Sequence, residues 1–201
     1  MARKLKYTSN IKDMGLLAKE LMHACELSSQ GMSFDEIVAD SEENNIFQVN
    51  TERRRRELAA CVIKRMKYLD EQTIHEVANG TISLANIISV YSILKTNPLM
   101  FDFMNEVYKE KAELMINRIT DADINQFMDC KAQEIEIVAN WKEDNREKVK
   151  GAIRNILVEA GLLRDMGSFY MILTPVLTND LVLHLQKVDG DIFLKAMGVV
   201  L

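Results

Sequence analysis

The sequence predicts a mostly α-helical protein in two helical subdomains, with winged helix-turn-helix-like elements and one short β-hairpin, a wing, in the C-terminal half. Three observations lead there. Only 2 Pro and 8 Gly occur among 201 residues, beside abundant Leu, Ala, Ile, Lys and Glu, a balance that favours helices over strands. Apolar residues recur at three- and four-residue spacing behind Ser, Thr, Asn and Asp residues that suit helix starts. A single stretch, "LLRDMGSFYMILTP", sets two β-prone pieces around turn residues. With 48% hydrophobic and 27% charged residues, the composition is that of an ordinary globular chain.

The opening "MARKLKYTSN" is basic and lacks the apolar core of a secretory signal. "IKDMGLLAKELMHACELSSQG" then reads as one helix with Leu17, Leu21 and Ala24 on one face, stopped by Gly31. Ser33 caps an acidic helix, "FDEIVADSEENN", whose Asp35 and Glu36 sit in the first turn, where the helix dipole favours negative charge. After the connector "IFQV", Asn50 or Thr51 caps a long basic helix. Helices over about 73–78 and 83–95 follow. Residues 77–94 hold no charge, yet six Asn, Thr and Ser residues interrupt them, so the stretch reads as buried core rather than membrane span.

In "KTNPL", Asn97 takes the cap and Pro98 the first helical position. The seam between domains 1–98 and 99–201 is placed here. The first carries 13 basic and 13 acidic side chains, the second 12 and 17, so the charge of -5 falls to the second. A helix over 99–118 opens that half, and Asp121 or Asp123 caps the next, over 124–140. Trp141 anchors a turn before "EDNREKVKGAIRNILVEAGLL", a helix with Val149, Ile153, Ile156 and Ala160 inside and Gly161 at its stop. The pieces 162–164 and 169–173 form the hairpin, and Thr174 and Pro175 lead into a last helix ending near Val188. Helix, turn, helix and hairpin make 124–188 a winged-helix-like segment.

The three cysteines, Cys25, Cys61 and Cys130, and the three histidines lack metal-ligand spacing, which predicts reduced thiols and a cytoplasmic location. No P-loop, GxGxxG, GxSxG or HExxH motif occurs. The pairs Asp121/Asp123 and Asp189/Asp191 read as caps and turns. Neither a catalytic residue nor a metal, cofactor, membrane or small-molecule substrate is implied.

The informative stretch is "NTERRRRELAACVIKRMKYL". Residues on a helix step by about 100°. If Leu58, Val62, Met66 and Leu69 face inward, then Arg53, Arg56, Ala60, Lys64 and Lys67 share an outward arc of roughly 80°. Arg54 and Arg55 point back near the open helix end, whose N–H groups suit a phosphate. Residues 51–69 hold seven basic and two acidic side chains. A merely solvated face, neutralised by the acidic helix before it, would mix Glu and Lys at i, i+4. The stripe does not. Arg53, Arg54, Arg55, Arg56, Lys64 and Lys67 are therefore the first candidate DNA contacts. A weaker set is Arg146, Lys148, Lys150 and Arg154 on the expected recognition helix, with Arg164 at the wing, diluted by Glu147 and Glu159. An isoelectric point near 5.3 restricts such binding to local, salt-sensitive contacts.

Several of these stretches together resemble the BrxA family of BREX (bacteriophage exclusion) phage-defence systems. They are the opening "KYTS", the arginine-run helix with Arg65 before its closing apolar residues, "FDFMNEVYKEK", "DADINQFM", and Trp141 followed by a capped Lys-bearing helix ending "VEAGLL". Their order and spacing carry the match over nearly the whole chain. At the start of that last helix Asp144-Asn145 stand where the resemblance leads one to expect Ser-Thr; both still suit a cap. The resemblance implies a small, all-helical, non-enzymatic cytoplasmic protein that binds double-stranded DNA, with other BREX proteins as partners. The competing reading is an adaptor whose basic stripe docks an acidic partner subunit.

Overall fold

The computed structural model describes residues 5–199. The helix expected over 11–31 is two, α1 (Ile11–Met14) and α2 (Ala18–Ser29). Gly15 (φ 66) ends the first, and Leu17 (φ 56) enters the second from the left-handed region. The break buries Leu16 instead of Leu17. It also turns the Leu16 carbonyl inward, where the Arg65 guanidinium and the Ser89 hydroxyl both donate to it.

Ser33 caps α3 (Phe34–Asn44) in a reciprocal box with Glu36. Thr51, not Asn50, caps α4 (Glu52–Met66), its hydroxyl accepting the Arg54 N–H at 3.2 Å. Asp70 caps α5 (Glu71–Ala78), and α6 (Ile82–Thr96) follows. The uncharged run 77–94 is thus split between two helices. At the split, a Cβ on Gly80 would lie 2.6 Å from the Glu76 carbonyl oxygen, so only glycine fits. No helix among the described residues is long and apolar enough to cross a membrane.

Asn97 caps α7 (Pro98–Phe103), accepting the Met100 N–H at 3.0 Å. The helix expected to reach 118 passes through a π turn, Met104–Tyr108, and α8 (Lys109–Glu113), then stops; Met115 turns left-handed at φ 58. Arg118 belongs instead to β1 (Arg118–Ile119). The cap of α9 (Asp121–Glu134) is Thr120, with Asp123 as the returning acid of its capping box. Asp123 is therefore the third helical residue and not the cap. Extended Ile135 separates α9 from α10 (Glu136–Ala139).

In α11 (Glu143–Glu159) Val149, Ile153, Ile156 and Leu157 are buried, and Gly161 (φ 75) follows its end. The predicted hairpin is β2 (Leu163–Asp165) and β3 (Tyr170–Ile172). The sheet has a third strand: β1 pairs antiparallel with the other edge of β3, giving the order β1-β3-β2. Thr178, rather than Thr174 or Pro175, opens α12 (Asn179–Asp189), and α13 (Ile192–Ala196) follows.

The chain's contacts divide into two units, residues 16–92 and residues 5–15 with 93–199. The boundary falls inside α6 and not at the expected seam of 98. Asn97-Pro98 is a local helix-start signal, whereas unit membership follows long-range bonds. The Tyr7 hydroxyl donates to Asp102 at 2.7 Å and Asn97 donates to Asn10 at 3.2 Å, tying the opening segment to the later residues. Residues 16–92 carry eight basic and twelve acidic side chains, so this unit takes most of the net charge.

In unit 16–92, α2 packs on α5 and α4 on α3 and α2. Leu21, Ala24, Ile37, Ala59, Val62, Met66 and Val77 are all fully buried there. Each large aliphatic side chain removed from water contributes about 1.5–3 kcal/mol. That burial fixes the rotation of α4.

Candidate nucleic-acid interface

With Leu58, Val62 and Met66 packed inward, the opposite face of α4 presents Arg53, Arg56, Ala60, Lys64 and Lys67, all exposed. The angular reading of the sequence therefore holds for the stripe. Arg56, Lys64 and Lys67 form no ion pair with any described residue. Arg53 does: its Nε lies 2.7 Å from Glu57, one turn on, and that hydrogen bond raises its pKa. Glu57 borders the stripe, so the acid-free face is narrower at its N-terminal end than the sequence suggested.

The other two arginines are half-buried. Arg55 reaches α3 and donates to the Glu42 carbonyl at 3.1 Å. The last turn of a helix carries partial negative charge, which suits a cation. The Arg55 Nε is buried with no hydrogen-bond partner among the described residues. Arg65, two turns from the run, is 3% exposed. Burial depresses its pKa, and the Cys61 and Glu20 neighbours push the other way. It is a structural group.

In unit 93–199 the second candidate set is mostly neutralised. Arg146, Lys150 and Arg154 recur at four-residue spacing on one face of α11, while Lys148 lies on the other side. Arg146 is 3.8 Å from Glu143 and Lys148 is 2.7 Å from Asp144. Lys150 pairs with Glu147 and donates to Asn125 of α9 at 2.9 Å. Arg154 is 2.6 Å from Asp121 at the start of α9. Burial alone would lower the Arg154 pKa, and the Asp121 bond more than offsets this. The Lys150 bond lowers the Glu147 pKa. Arg164, on β2, is exposed and has no acid partner among the described residues.

Sequence reasoning missed one charged centre in this unit. Lys131 of α9 is 5% exposed, with its Nζ at 2.7 Å from Glu106, 2.8 Å from Glu134 and 3.5 Å from Asp102. Burial works against its charge, yet the carboxylates hold its pKa well above the ordinary lysine value. Tyr7 closes the set on Asp102; burial first, then that hydrogen bond, push its pKa up to about 12. Tyr7 lies in "KYTS" and Asp102 in "FDFMNEVYKEK", so two stretches that carried the resemblance meet here. No group of three or more His, Cys, Asp or Glu side chains placed to hold a metal occurs among the described residues.

Comparison with known proteins gives three results. The BrxA family model matches residues 5–189. A BREX protein BrxA of Bacillus cereus (strain H3081.97) is 38% identical over 197 residues, 98% of this chain and 98% of that one. The crystal structure of an uncharacterized protein from Magnetospirillum magneticum has a TM-score of 0.80 and 18% identity, covering 96% of this chain and 99% of the other. At that identity the last likeness is one of fold.

Proposed function

Because this chain belongs to the BrxA family, we propose that it is a non-enzymatic, cytoplasmic accessory of a BREX phage-defence system that binds double-stranded DNA through the phosphate backbone. One observation carries the reading: the exposed face of α4, where Arg56, Lys64 and Lys67 lie with Arg53 and no carboxylate among the described residues bridges the first three. A cation already bonded to an acid must give up that partner to take a phosphate. An unpaired one need only release its water and the counterions of the DNA. By that criterion α4 supplies most of the affinity. Arg54 and Arg55 support the helix start, with Arg55 held to α3.

Arg146, Lys148, Lys150 and Arg154 contribute less, each after breaking an ion pair, and Arg164 of the hairpin adds a cation with no acid partner among the described residues. In this reading α9, α11 and the hairpin act as a winged-helix-like element. Backbone contacts position a protein without reading bases, so preference among sequences is weak.

The test is a mobility-shift titration with unrelated duplexes at several salt concentrations. With ~4–6 phosphates neutralised, log K should fall with log[salt] at a slope of about -4 to -5. A slope near zero, or one duplex preferred by orders of magnitude, removes the backbone model. If instead the stripe holds an acidic subunit, a stoichiometric complex with another BREX protein will form and DNA will not compete with it.

A further inference from the structure

Beyond the DNA reading, we infer that the groove along the π turn, α8 and α9 is a protein-docking surface for a segment that couples an aliphatic side chain to Lys or Arg. The groove has a volume of about 360 Å³ and lies wholly within residues 106–130. Its apolar lining is Val107, Leu114, Ile116 and Phe127. Two of these lining residues and the Met115 between them in sequence stand in solvent: Leu114 is 69% exposed, Met115 85% and Ile116 42%. Such a run is unfavourable in a surface loop unless something covers it.

Two features of the backbone point the same way. Met115 occupies the left-handed region at φ 58, which favours glycine and disfavours a side chain there. A π turn forms one wall, a rare geometry that recurs at functional positions. Met115 is thus a large apolar side chain, 85% exposed, on backbone that glycine would take more readily. Its flexible thioether is suited to fitting a partner's surface.

Charge chooses the occupant. The polar lining is Glu106, Glu110, Lys111, Asp123 and Gln126, three carboxylates against one ammonium. Lys111 is committed to Asp123 at 2.9 Å and Glu106 to Lys131 at 2.7 Å. Glu110 is exposed and has no ionic partner among the described residues. With those two carboxylates paired, Glu110 leaves the edge with an uncompensated negative charge, which disfavours DNA and anionic lipid alike. A second copy of the chain, meeting the groove across a two-fold axis, would set like-charged faces against each other. A basic, aliphatic peptide segment fits both the pocket and its edge.

Cys130 lines the groove and is exposed, so its alkylation rate reports occupancy. The probes are amidated short peptides of leucine with lysine, leucine with glutamate, and serine with lysine, added to the whole protein without DNA. Cys130 modification is read by mass spectrometry. At ten times its Kd, the leucine–lysine peptide should slow alkylation about ten-fold, and the other two should leave the rate unchanged. Met115→Gly with Leu114→Ser should abolish protection while circular dichroism stays unchanged, because glycine suits φ 58. Glu110→Lys should weaken protection without touching the apolar lining. The proposal is overturned if the leucine–lysine peptide gives no protection up to about 1 mM, if it protects the double variant as well as the parent, or if the glutamate peptide protects equally. A concentration-dependent dimer that Met115→Gly dissociates, with no peptide protection, gives this face to a second copy and also overturns it.

Discussion

Lys64 projects from α4 with its ammonium in solvent, whereas Arg65, the next residue, is buried and gives a guanidinium N–H to the Leu16 carbonyl. One residue of helix turns a side chain by about 100°, enough to separate a candidate contact from a core group. Lys64→Ala should change stability by under ~0.5 kcal/mol, lower DNA affinity and make the salt slope shallower by about one. Arg65→Ala should cost ~2–4 kcal/mol, because it empties a packed site and leaves the Leu16 carbonyl only the Ser89 hydroxyl. Urea unfolding beside a mobility-shift titration separates the two. An Arg65→Ala protein as stable as its parent would show that Arg65 is not a structural group. At this scale the sequence was legible only in part. Tyr7, Asp102 and Lys131 are scattered along the chain, and no period relates them. Their meeting depends on packing within the unit, as does the bond of Arg55 to α3.

At the scale of single elements, the starts were the most legible feature, because a cap is a bond between near neighbours. Ser33, and Asn97 with Pro98, stand where their residue types predicted, and Thr51 is one of the two residues expected to cap α4. Thr120 was missed because two aspartates follow it, and Asp123 drew the reading that its threonine partner deserved. The bonds between them make a test. Burial would raise the Asp123 pKa, but Lys111 and the Thr120 hydroxyl and N–H lower it overall. A depressed carboxylate stabilises the fold above its unfolded pKa of about 3.9 and loses that contribution as pH falls through its lower folded value. Asp123→Asn should cost ~1 kcal/mol at neutral pH. The gap between variant and parent should close as the solution is acidified from the unfolded value down through the lower folded one. A gap that stays constant with pH, measured by denaturant unfolding, would show that the charge of Asp123 is not what matters. The ends and breaks were poorly legible. Gly15, Met115 and Ile135 interrupt helices that sequence periodicity carries through. The two-residue strand β1 exists only by pairing with β3, more than 50 residues away in sequence. Likewise α11 displayed its basic residues in the sequence, while Asp121 and Asn125, which hold two of them, belong to α9.

For the whole molecule, the net charge of -5 and the basic stripe act over different distances. Screening confines exposed charges to about 10 Å at 0.1 M salt, so a phosphate against α4 feels the stripe more than the remote carboxylates. Unit 16–92 sharpens the point, because its twelve acidic side chains outnumber its eight basic ones and yet Arg56, Lys64 and Lys67 stand on one helix face without acid partners among the described residues. A direct test compares two sets of four substitutions that change total charge equally. Arg53, Arg56, Lys64 and Lys67 replaced by Glu make the stripe set. Lys6, Lys19, Lys142 and Lys187, also exposed, make the control. Lys95 and Lys109 are unsuitable for the control, since Lys95 is bonded to Asp189 and Lys109 contacts Asn105 and Glu113. The stripe set leaves Leu58, Val62 and Met66 packed; glutamate is favourable toward the dipole at 53 and 56, near the start of α4, and unfavourable at 64 and 67, at its end, so the two effects roughly offset. The fold should therefore persist by circular dichroism. DNA affinity should fall by at least ~100-fold in the stripe set, as four attractions become repulsions beside the phosphates, and much less in the control. Equal losses would mean that bulk charge governs binding. Retained binding in a folded stripe variant would show that the arginine run faces something other than DNA, and an acidic protein subunit would then be the partner to seek.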